Sequence, residues 1–194
     1  MSDPSSAKPF IVGIGGTMRP NSSSERALRT SLKSAEALGA ETLMFSGMSL
    51  DLPMYTPDAR DRTPGARQLV DALRRCDGVI IAAAAYHGSI SGLLKNALDY
   101  AEDLRTDTRS YLDDVPIGCI ACAGGWQACG QTLAALRAVA HALRGWPTPL
   151  GAMLNTSASL FTEDGSCTDG PTKSQLEQVG YQVVRFTRLM TAAA

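Results

Sequence analysis

Apolar runs alternate with helical stripes along this chain, and this alternation limits the fold more than any other feature. The stretch "DGVIIAAAA" (77–85) is a continuous apolar run bounded by turn residues. Such a run is typical of a strand that helices cover on both faces of a sheet. We predict four further strands, at "FIVGIGG" (10–16), "ETLMFSG" (41–47), "VPIGCIACAGG" (115–125) and "TPLGAMLN" (148–155).

Helical periodicity follows each predicted strand. The apolar positions predict helices over about 24–38, 66–73, 93–101, 129–143 and 172–190. A regular βα alternation indicates an α/β fold with a parallel sheet and helices on both faces, in three layers. Five strands favour the order 2-1-3-4-5.

The predicted elements fill one domain over residues 10–194, after a flexible arm at 1–9. Two segments, 101–114 and 155–171, have no clear period. We expect each of them to contact a partner or to form a lid.

Composition excludes several classes of function. The formal net charge is −1, which gives no broad attraction to nucleic acid or to anionic membranes. The sequence has no run approaching the roughly 20 apolar residues that cross a bilayer. The start, "MSDPSSAKP", lacks a signal-peptide core, so we expect a cytoplasmic protein without nucleic-acid or membrane partners.

Cys119 and Cys122 form a C-x-x-C motif that could indicate zinc or redox chemistry. Both residues lie in a predicted buried strand, where side chains three positions apart point to opposite faces. The chain has only two histidines that could complete a metal site. We therefore predict two small buried hydrophobic side chains and no metal site.

The stretch "GIGGTMRPNSSSERAL" (13–28) joins the first strand to the first helix. It carries the hydroxyls of Thr17, Ser22, Ser23 and Ser24 and the charge of Arg19, beside the positive end of the helix dipole. These features predict a phosphate site, and the alternative is a set of helix-capping serines that bind no ligand. The glycine spacing matches neither a Walker loop nor a dinucleotide fingerprint, which favours a mononucleotide.

Two further glycine-rich loops are predicted at the same edge of the sheet. "YHGSISG" (86–92) follows the third strand, and "AGGWQACG" (123–130) follows the fourth. Ligands of open α/β sheets bind at this edge, beyond the carboxyl ends of the strands. The three loops together predict a pocket with a phosphate end and a planar end, which is the shape of flavin mononucleotide (FMN).

The stretches "GTMRPNSSSERAL" and "YHGSISGLLKNALDY" resemble the two signatures of the NAD(P)H-dependent FMN reductase family, whose fold is flavodoxin-like. The resemblance implies a phosphate shell of Thr17, Arg19, Ser22 and Ser24. It implies that Ala85, Tyr86, His87, Gly88 and Ser89 follow the rest of the flavin, and that Gly124, Gly125 and Trp126 close the other side. Ala84 and Ala85 stand where many members have proline and glutamate, which leaves the loop geometry and the substrate open.

The resemblance implies an enzyme in which a nicotinamide, NADH or NADPH, gives a hydride to FMN. The electrons then pass to free flavin, a quinone, an azo compound or another small acceptor, and reduced flavin could supply a monooxygenase. The flavin carries the chemistry, and His87 is either a wall of the pocket or a proton donor. The resemblance also implies a homodimer or homotetramer that packs partly through the third helix and segment 101–114.

Two alternatives stay open at this stage. The chain could be a flavodoxin-like electron carrier without NAD(P)H turnover of its own, although its near-neutral charge is unlike that of the acidic long-chain flavodoxins. It could also be a flavin-binding module or a descendant that has lost its flavin.

Overall fold

The computed structural model of this chain describes residues 8–59 and 61–193. Residues 1–7 of the predicted arm lie outside the described residues. Pro9, at the end of the predicted arm, is buried, and its carbonyl accepts a hydrogen bond from the Glu41 N–H at 2.8 Å. The division into an arm and a single domain over 10–194 stays a prediction.

The described residues form six strands and five α-helices. The strands are β1 (Phe10–Gly15), β2 (Glu41–Phe45), β3 (Gly78–Tyr86), β4 (Ser89–Ile90), β5 (Pro116–Ala123) and β6 (Trp146–Asn155). The helices are α1 (Ser23–Ala37), α2 (Pro64–Arg75), α3 (Gly92–Asp99), α4 (Trp126–Ala142) and α5 (Gly170–Ala193). Short 3₁₀ helices cover Gly47–Leu50 and Tyr100–Leu104.

Five parallel strands form the sheet in the order β2-β1-β3-β5-β6. This is the predicted order 2-1-3-4-5 when the parallel strands are counted alone, and the predicted fold class is confirmed. The strand count was wrong by one, because the two-residue β4 pairs antiparallel with the end of β3. The stretch that forms β4 is too short for a period to reveal it.

Helices cover both faces of the sheet. Helices α1 and α5 enclose one apolar core, and α2, α3 and α4 enclose the other. Cys119 belongs to the second core and Cys122 to the first, and both thiols are buried. The two cysteines of the C-x-x-C motif therefore face opposite sides of the sheet, as the strand alternation predicts.

Helices α1 and α5 approach each other closely at Gly180. Ser31 Oγ donates to the Leu176 carbonyl at 2.7 Å, and Ser34 Oγ donates to the Glu177 carbonyl at 2.9 Å. A Cβ atom on residue 180 would lie well inside van der Waals contact of the Ser31 carbonyl oxygen and 3.1 Å from Ser34 Cβ. The missing side chain of Gly180 thus allows two serine hydroxyls to join the helices.

The long connection between β2 and α2 is fixed by buried and half-buried polar side chains. The Asn96 side chain accepts from the Tyr55 N–H at 2.8 Å and donates to the Leu52 carbonyl at 3.1 Å. Arg62 forms a two-point ion pair with Asp103, with N–O distances of 2.7 and 2.8 Å, and lies 4.7 Å from the centre of the Tyr55 ring. This pairing lowers the pKa of Asp103 below its ordinary value. The connection is therefore held against α3 and the following 3₁₀ helix.

The segment 101–114 packs within its own chain. Leu104 and Leu112 are buried. The Arg109 guanidinium donates to the carbonyls of Leu73 and Cys76, both at 2.7 Å, where α2 ends. Much of the polar and apolar surface of this segment therefore contacts other parts of the same chain.

In the described part of the chain, no helix has both the length and the apolar character needed to cross a membrane.

The close approach of α1 and α5 predicts whether a substitution of Gly180 raises or lowers the stability of the protein. Gly180→Ala should lower the free energy of unfolding by about 1–3 kcal/mol, because the added methyl group forces the helices apart. Gly130→Ala is the matched control in α4, where a Cβ would meet nothing within 4 Å. It should raise stability by about 0.5–1 kcal/mol through helix propensity alone. Urea denaturation of the two variants checks this, and equal effects of the same sign would contradict the packing argument.

Candidate functional site

A cleft of about 300 Å³ opens at the carboxyl ends of β1, β3, β5 and β6. This is the edge at which the sequence predicts a ligand site. The lining residues are Thr17, Arg19, Ser22, Ser23, Ser24, Ala84, Ala85, Tyr86, Cys122, Ala123, Gly124 and Thr156. Of the predicted site residues, the cleft brings together Thr17, Arg19, Ser22, Ser24, Ala85, Tyr86 and Gly124.

The loop from β1 to α1 forms one end of the cleft. Gly16 has φ +96°, a left-handed conformation that turns the chain away from the sheet as β1 ends. Ser22 caps α1, and its Oγ accepts from the Glu25 N–H at 3.3 Å. The Arg19 N–H donates to Thr17 Oγ1 at 3.1 Å, which makes a tight turn, while the Arg19 side chain is exposed at the cleft.

Two serine hydroxyls lie below the surface at this end of the cleft. Ser22 and Ser24 are each 2% exposed, and their Oγ atoms are 3.3 Å apart. Hydroxyls can donate to an anion, and the first turn of a helix adds N–H groups that the helix itself does not use. The β1–α1 loop therefore has the donors and the charge that a phosphate group needs.

The hairpin from β3 to β4 forms a second wall. His87 and Gly88 have φ values of +50° and +84°, which suit a two-residue turn that twists with its strands. The hairpin leans on α4, where Thr132 Oγ1 donates to the Ser89 carbonyl at 3.4 Å. The end of β3 lines the cleft through Ala85 and Tyr86, whereas the exposed His87, with Gly88 and Ser89, is not among the lining residues.

The start of α4 forms the opposite wall. This helix begins at Trp126 rather than near residue 129, because Gly125 is its cap residue in an extended conformation. A Cβ atom on Gly124 or Gly125 would meet nothing within 4 Å, so the space above these residues is open. Trp126 is 61% exposed, and neither it nor Gly125 is among the lining residues.

Sequence reasoning did not include four lining residues among its candidate ligand-binding residues: Ala84, Cys122, Ala123 and Thr156. Three of them, Ala84, Cys122 and Ala123, lie at the carboxyl ends of parallel strands, where the edge rule could have found them. Thr156 follows β6, and its N–H donates to the Ala123 carbonyl at 2.7 Å. No polar motif marks that position in the sequence.

The cysteine thiols of β5 stay protonated near neutral pH. Burial raises the pKa of the Cys119 thiol to about 12, and it raises the pKa of Cys122 further. Only the thiolate is a strong metal ligand or nucleophile, so Cys122 contributes an apolar lining group to the cleft. Within residues 8–59 and 61–193, no cluster of three or more His, Cys, Asp or Glu side chains could hold a metal ion.

A larger depression of about 600 Å³ lies elsewhere, between α1 and α5. Its lining includes Lys33, Lys173 and Tyr181 and none of the strand ends. It lacks the convergence of loops at a sheet edge that binds ligands in open α/β folds.

The cleft has a phosphate-compatible end and two walls that leave open space between them. Comparison with known proteins agrees with this chemistry. Residues 9–158 match the model of the NADPH-dependent FMN reductase family. The chain belongs to the NADPH-dependent FMN reductase family. The predicted resemblance to this family is confirmed.

Among curated relatives, an FMN-dependent NADPH-azoreductase of Staphylococcus aureus is 32% identical over 117 residues. The aligned stretch covers 60% of this chain and 58% of that protein, so the chain spans little more than half of the relative's length.

Solved structures share the fold of this family member at low sequence identity. FerB, a flavoenzyme NAD(P)H:(acceptor) oxidoreductase from Paracoccus denitrificans, superposes with a TM-score of 0.76 at 22% identity, over 92% of this chain and 97% of that one. The apo form of an NADH:FMN oxidoreductase, EMOB, gives 0.69 at 21% identity, over 94% of this chain and 90% of that one. These likenesses support the flavodoxin-like fold class.

Proposed function

We propose that this chain is an FMN-dependent NAD(P)H oxidoreductase that binds FMN in the cleft at the carboxyl edge of its sheet. One observation carries the proposal: buried serine hydroxyls, an exposed arginine and a helix N-terminus converge in a cleft that continues along open, glycine-bordered walls. Membership of the family supports FMN as the ligand.

The β1–α1 loop holds the phosphate in this proposal. Ser22, Ser24 and Thr17 donate hydroxyl hydrogen bonds, and Arg19 supplies a positive charge from the surface. Charge-assisted hydrogen bonds are about twice as strong as neutral ones, so Arg19 carries a large share of the affinity for the phosphate.

The walls hold the ring system in this proposal. Ala84 and Ala85 present only methyl groups, and Tyr86 and Gly124 border the remaining space. Small side chains leave room for a flat heterocycle, and they leave the neighbouring backbone groups accessible to it. The Pro-Glu pair of many family members would fill more of this wall, so the two alanines leave a wider cleft here.

Bound FMN would accept a hydride from NAD(P)H and pass the electron pair to an acceptor. The ionisable side chains that line the cleft are Arg19, Tyr86 and Cys122, and none of them is a carboxylate or a histidine. His87 lies exposed at the corner of the hairpin. The chain's own residues therefore bind and orient, and they do not supply a strong acid or base at the cleft.

The proposed acceptor is a small planar molecule such as free flavin, a quinone or an azo compound. The open walls support this, because the acceptor must stack on the flavin in the space that the nicotinamide has left. The names of two similar proteins, an NADPH-azoreductase and an NAD(P)H:(acceptor) oxidoreductase, agree with an acceptor of this class. Free flavin as acceptor would let the protein feed a monooxygenase.

The proposed assembly is a homodimer or homotetramer. Five large apolar side chains are exposed where parallel strands end or in the segments that follow them: Met18, Met48, Met54, Tyr86 and Trp126. We call these five side chains the apolar rim. Met48 and Met54 are 72% and 79% exposed on the connection that Arg62 and Asn96 hold in place. A rigid loop that exposes methionines is suited to contact a second copy. Lys95 and Asp99 of α3 pair with each other at 2.5 Å, which leaves the apolar rim as the stronger candidate contact.

Removal of the Arg19 charge tests the phosphate end. Arg19→Ala should weaken FMN binding by about 1.5–3 kcal/mol, because a charge-assisted bond to the phosphate is lost. Riboflavin, which has no phosphate, should bind the wild type poorly and respond little to this change. Fluorescence titration of the apoprotein measures both affinities, and equal losses for the two ligands would show that the phosphate lies elsewhere.

Separate measurement of the two half-reactions tests the enzyme function. The FMN-loaded chain should oxidise NADH or NADPH without a partner protein, and an electron carrier would not. His87→Ala should keep FMN and lower the rate of flavin reduction about tenfold or less, about 1.4 kcal/mol of barrier. If His87 donates a proton to the acceptor, reoxidation by a quinone should slow about 10²-fold or more while reduction stays nearly normal.

Stopped-flow absorbance under anaerobic conditions follows both steps. Normal FMN binding combined with loss of both half-reactions by several orders of magnitude would contradict a flavin-centred reaction and would indicate an unrecognised catalytic side chain.

A charge on the apolar rim tests the assembly. The wild type should sediment as a dimer or tetramer at micromolar concentration, and Met54→Glu should shift it towards the monomer. Leu189→Glu is the control, because Leu189 is also an exposed apolar side chain but lies on α5, away from the cleft edge. A monomeric wild type, or dissociation by the control alone, would overturn the proposed interface.

A further inference from the structure

Glu25 lies in the first turn of α1 and is not among the residues that line the cleft. Its side chain is only 12% exposed, which is unusual for a glutamate near a surface loop. One carboxylate oxygen accepts from the Asn21 N–H at 3.1 Å, and the other accepts from Arg29 at 3.0 Å. The Glu25 N–H donates to Ser22 Oγ at 3.3 Å. Glu25 therefore contacts the loop through its side chain and its backbone.

The bond to Asn21 holds a residue in an uncommon conformation. Asn21 has φ +55°, in the left-handed region, which asparagine enters more readily than other non-glycine residues. The hydrogen bond from the Asn21 N–H to the Glu25 carboxylate adds to this local preference. The carboxylate accepts the N–H that this conformation turns towards α1, so it fixes the chain just before Ser22.

The same side chain also supports the start of the loop. A Cβ atom on Gly16 would lie 3.4 Å from Glu25 Cβ and 3.8 Å from Glu25 Cα, so the chain passes closely over this residue as it leaves β1. Glu25 thus adjoins both ends of the segment 16–22, which carries Thr17, Arg19 and Ser22.

We propose that Glu25 is a positioning residue for phosphate recognition: its carboxylate holds the 16–22 loop in the form that binds the FMN phosphate. This proposal rests on the proposed function. The carboxylate also brings a negative charge close to a dianion, which disfavours binding, and the ion pair with Arg29 offsets that charge. The hydrogen bond and the charge of Glu25 therefore act in opposite directions on the affinity for FMN.

A purely structural role is the competing explanation. An acidic residue in the first turn stabilises a helix through the dipole and through its capping contacts. That role would affect the stability of α1, and it would not distinguish a ligand with a phosphate from one without. The ratio of FMN affinity to riboflavin affinity therefore separates the two explanations.

Two substitutions separate the negative charge of Glu25 from its hydrogen bond to the Asn21 N–H. Glu25→Asp keeps the negative charge near the helix N-terminus but is one methylene too short to reach the Asn21 N–H. Glu25→Gln keeps the reach and an acceptor oxygen but removes the charge. Glu36→Asp is the matched control, because Glu36 is the other acidic residue of α1 and lies at the far end of the helix.

The experiment titrates the apo form of each full-length variant with FMN and with riboflavin, and records its thermal unfolding. Glu25→Asp should raise the dissociation constant for FMN about tenfold, the effect of losing one hydrogen bond that preorganises a loop. Its dissociation constant for riboflavin should change less than about twofold. Glu25→Gln should bind FMN as tightly as the wild type or more tightly, and Glu36→Asp should match the wild type for both ligands.

Two results would overturn the proposal. One is FMN binding by Glu25→Asp that equals the wild type, even if its unfolding temperature falls, since that is the signature of a helix cap alone. The other is a loss for Glu25→Gln as large as for Glu25→Asp. A wild type that binds neither flavin would contradict the proposed function itself. A wild type that binds FMN while the variants fail to differ would contradict only the role of Glu25.

Discussion

The structure depends on a parallel sheet that is buried on both faces. Helices α1 and α5 cover one face and α2, α3 and α4 the other, so the central strands β3 and β5 carry apolar side chains almost throughout. Polar groups cannot lie within these layers unless they find partners there. The carboxyl edge of the sheet is where every parallel strand ends and a loop must turn. The candidate site lies at this edge, where the loops that follow the strands can carry polar groups.

The sequence predicted the features that this constraint controls. Five parallel strands, their order and the use of both faces followed from apolar periodicity, because burial on both faces leaves a direct mark on the composition of each strand. The position of Thr17, Arg19 and the serines at 22–24 around one cleft was also predictable, because these residues are close neighbours in the chain.

Features that depend on tertiary contacts were harder to predict. The stretch after β3 was expected to line the cleft as a loop. In the structure, His87 and Gly88 adopt left-handed conformations and form a hairpin that packs against α4. The start of α4 at Trp126 was not predicted. Its cap residue is a glycine without a side-chain hydrogen bond, so the sequence has no capping residue that marks the helix start. Thr156 and the bond from Glu25 to Asn21 depend on distances that no sequence spacing encodes. Local chemistry was thus more predictable than the walls that the fold assembles.

The proposed division of work follows from what lies in the cleft. Its lining supplies donors, a cation and small apolar side chains, and its described ionisable groups do not include a strong base. A protein with this lining can bind and orient a redox cofactor and leave the electron transfer to it. The central claim is therefore one of placement: FMN occupies this cleft with its phosphate on the β1–α1 loop.

A crystal structure of the chain with FMN tests that placement most directly. The account predicts phosphate oxygens within about 3.2 Å of the Ser22 and Ser24 hydroxyls, the usual limit for a hydrogen bond, with the ring system between Tyr86 and Gly124. Density for the flavin in the larger depression between α1 and α5, or a phosphate turned away from the β1–α1 loop, would contradict it.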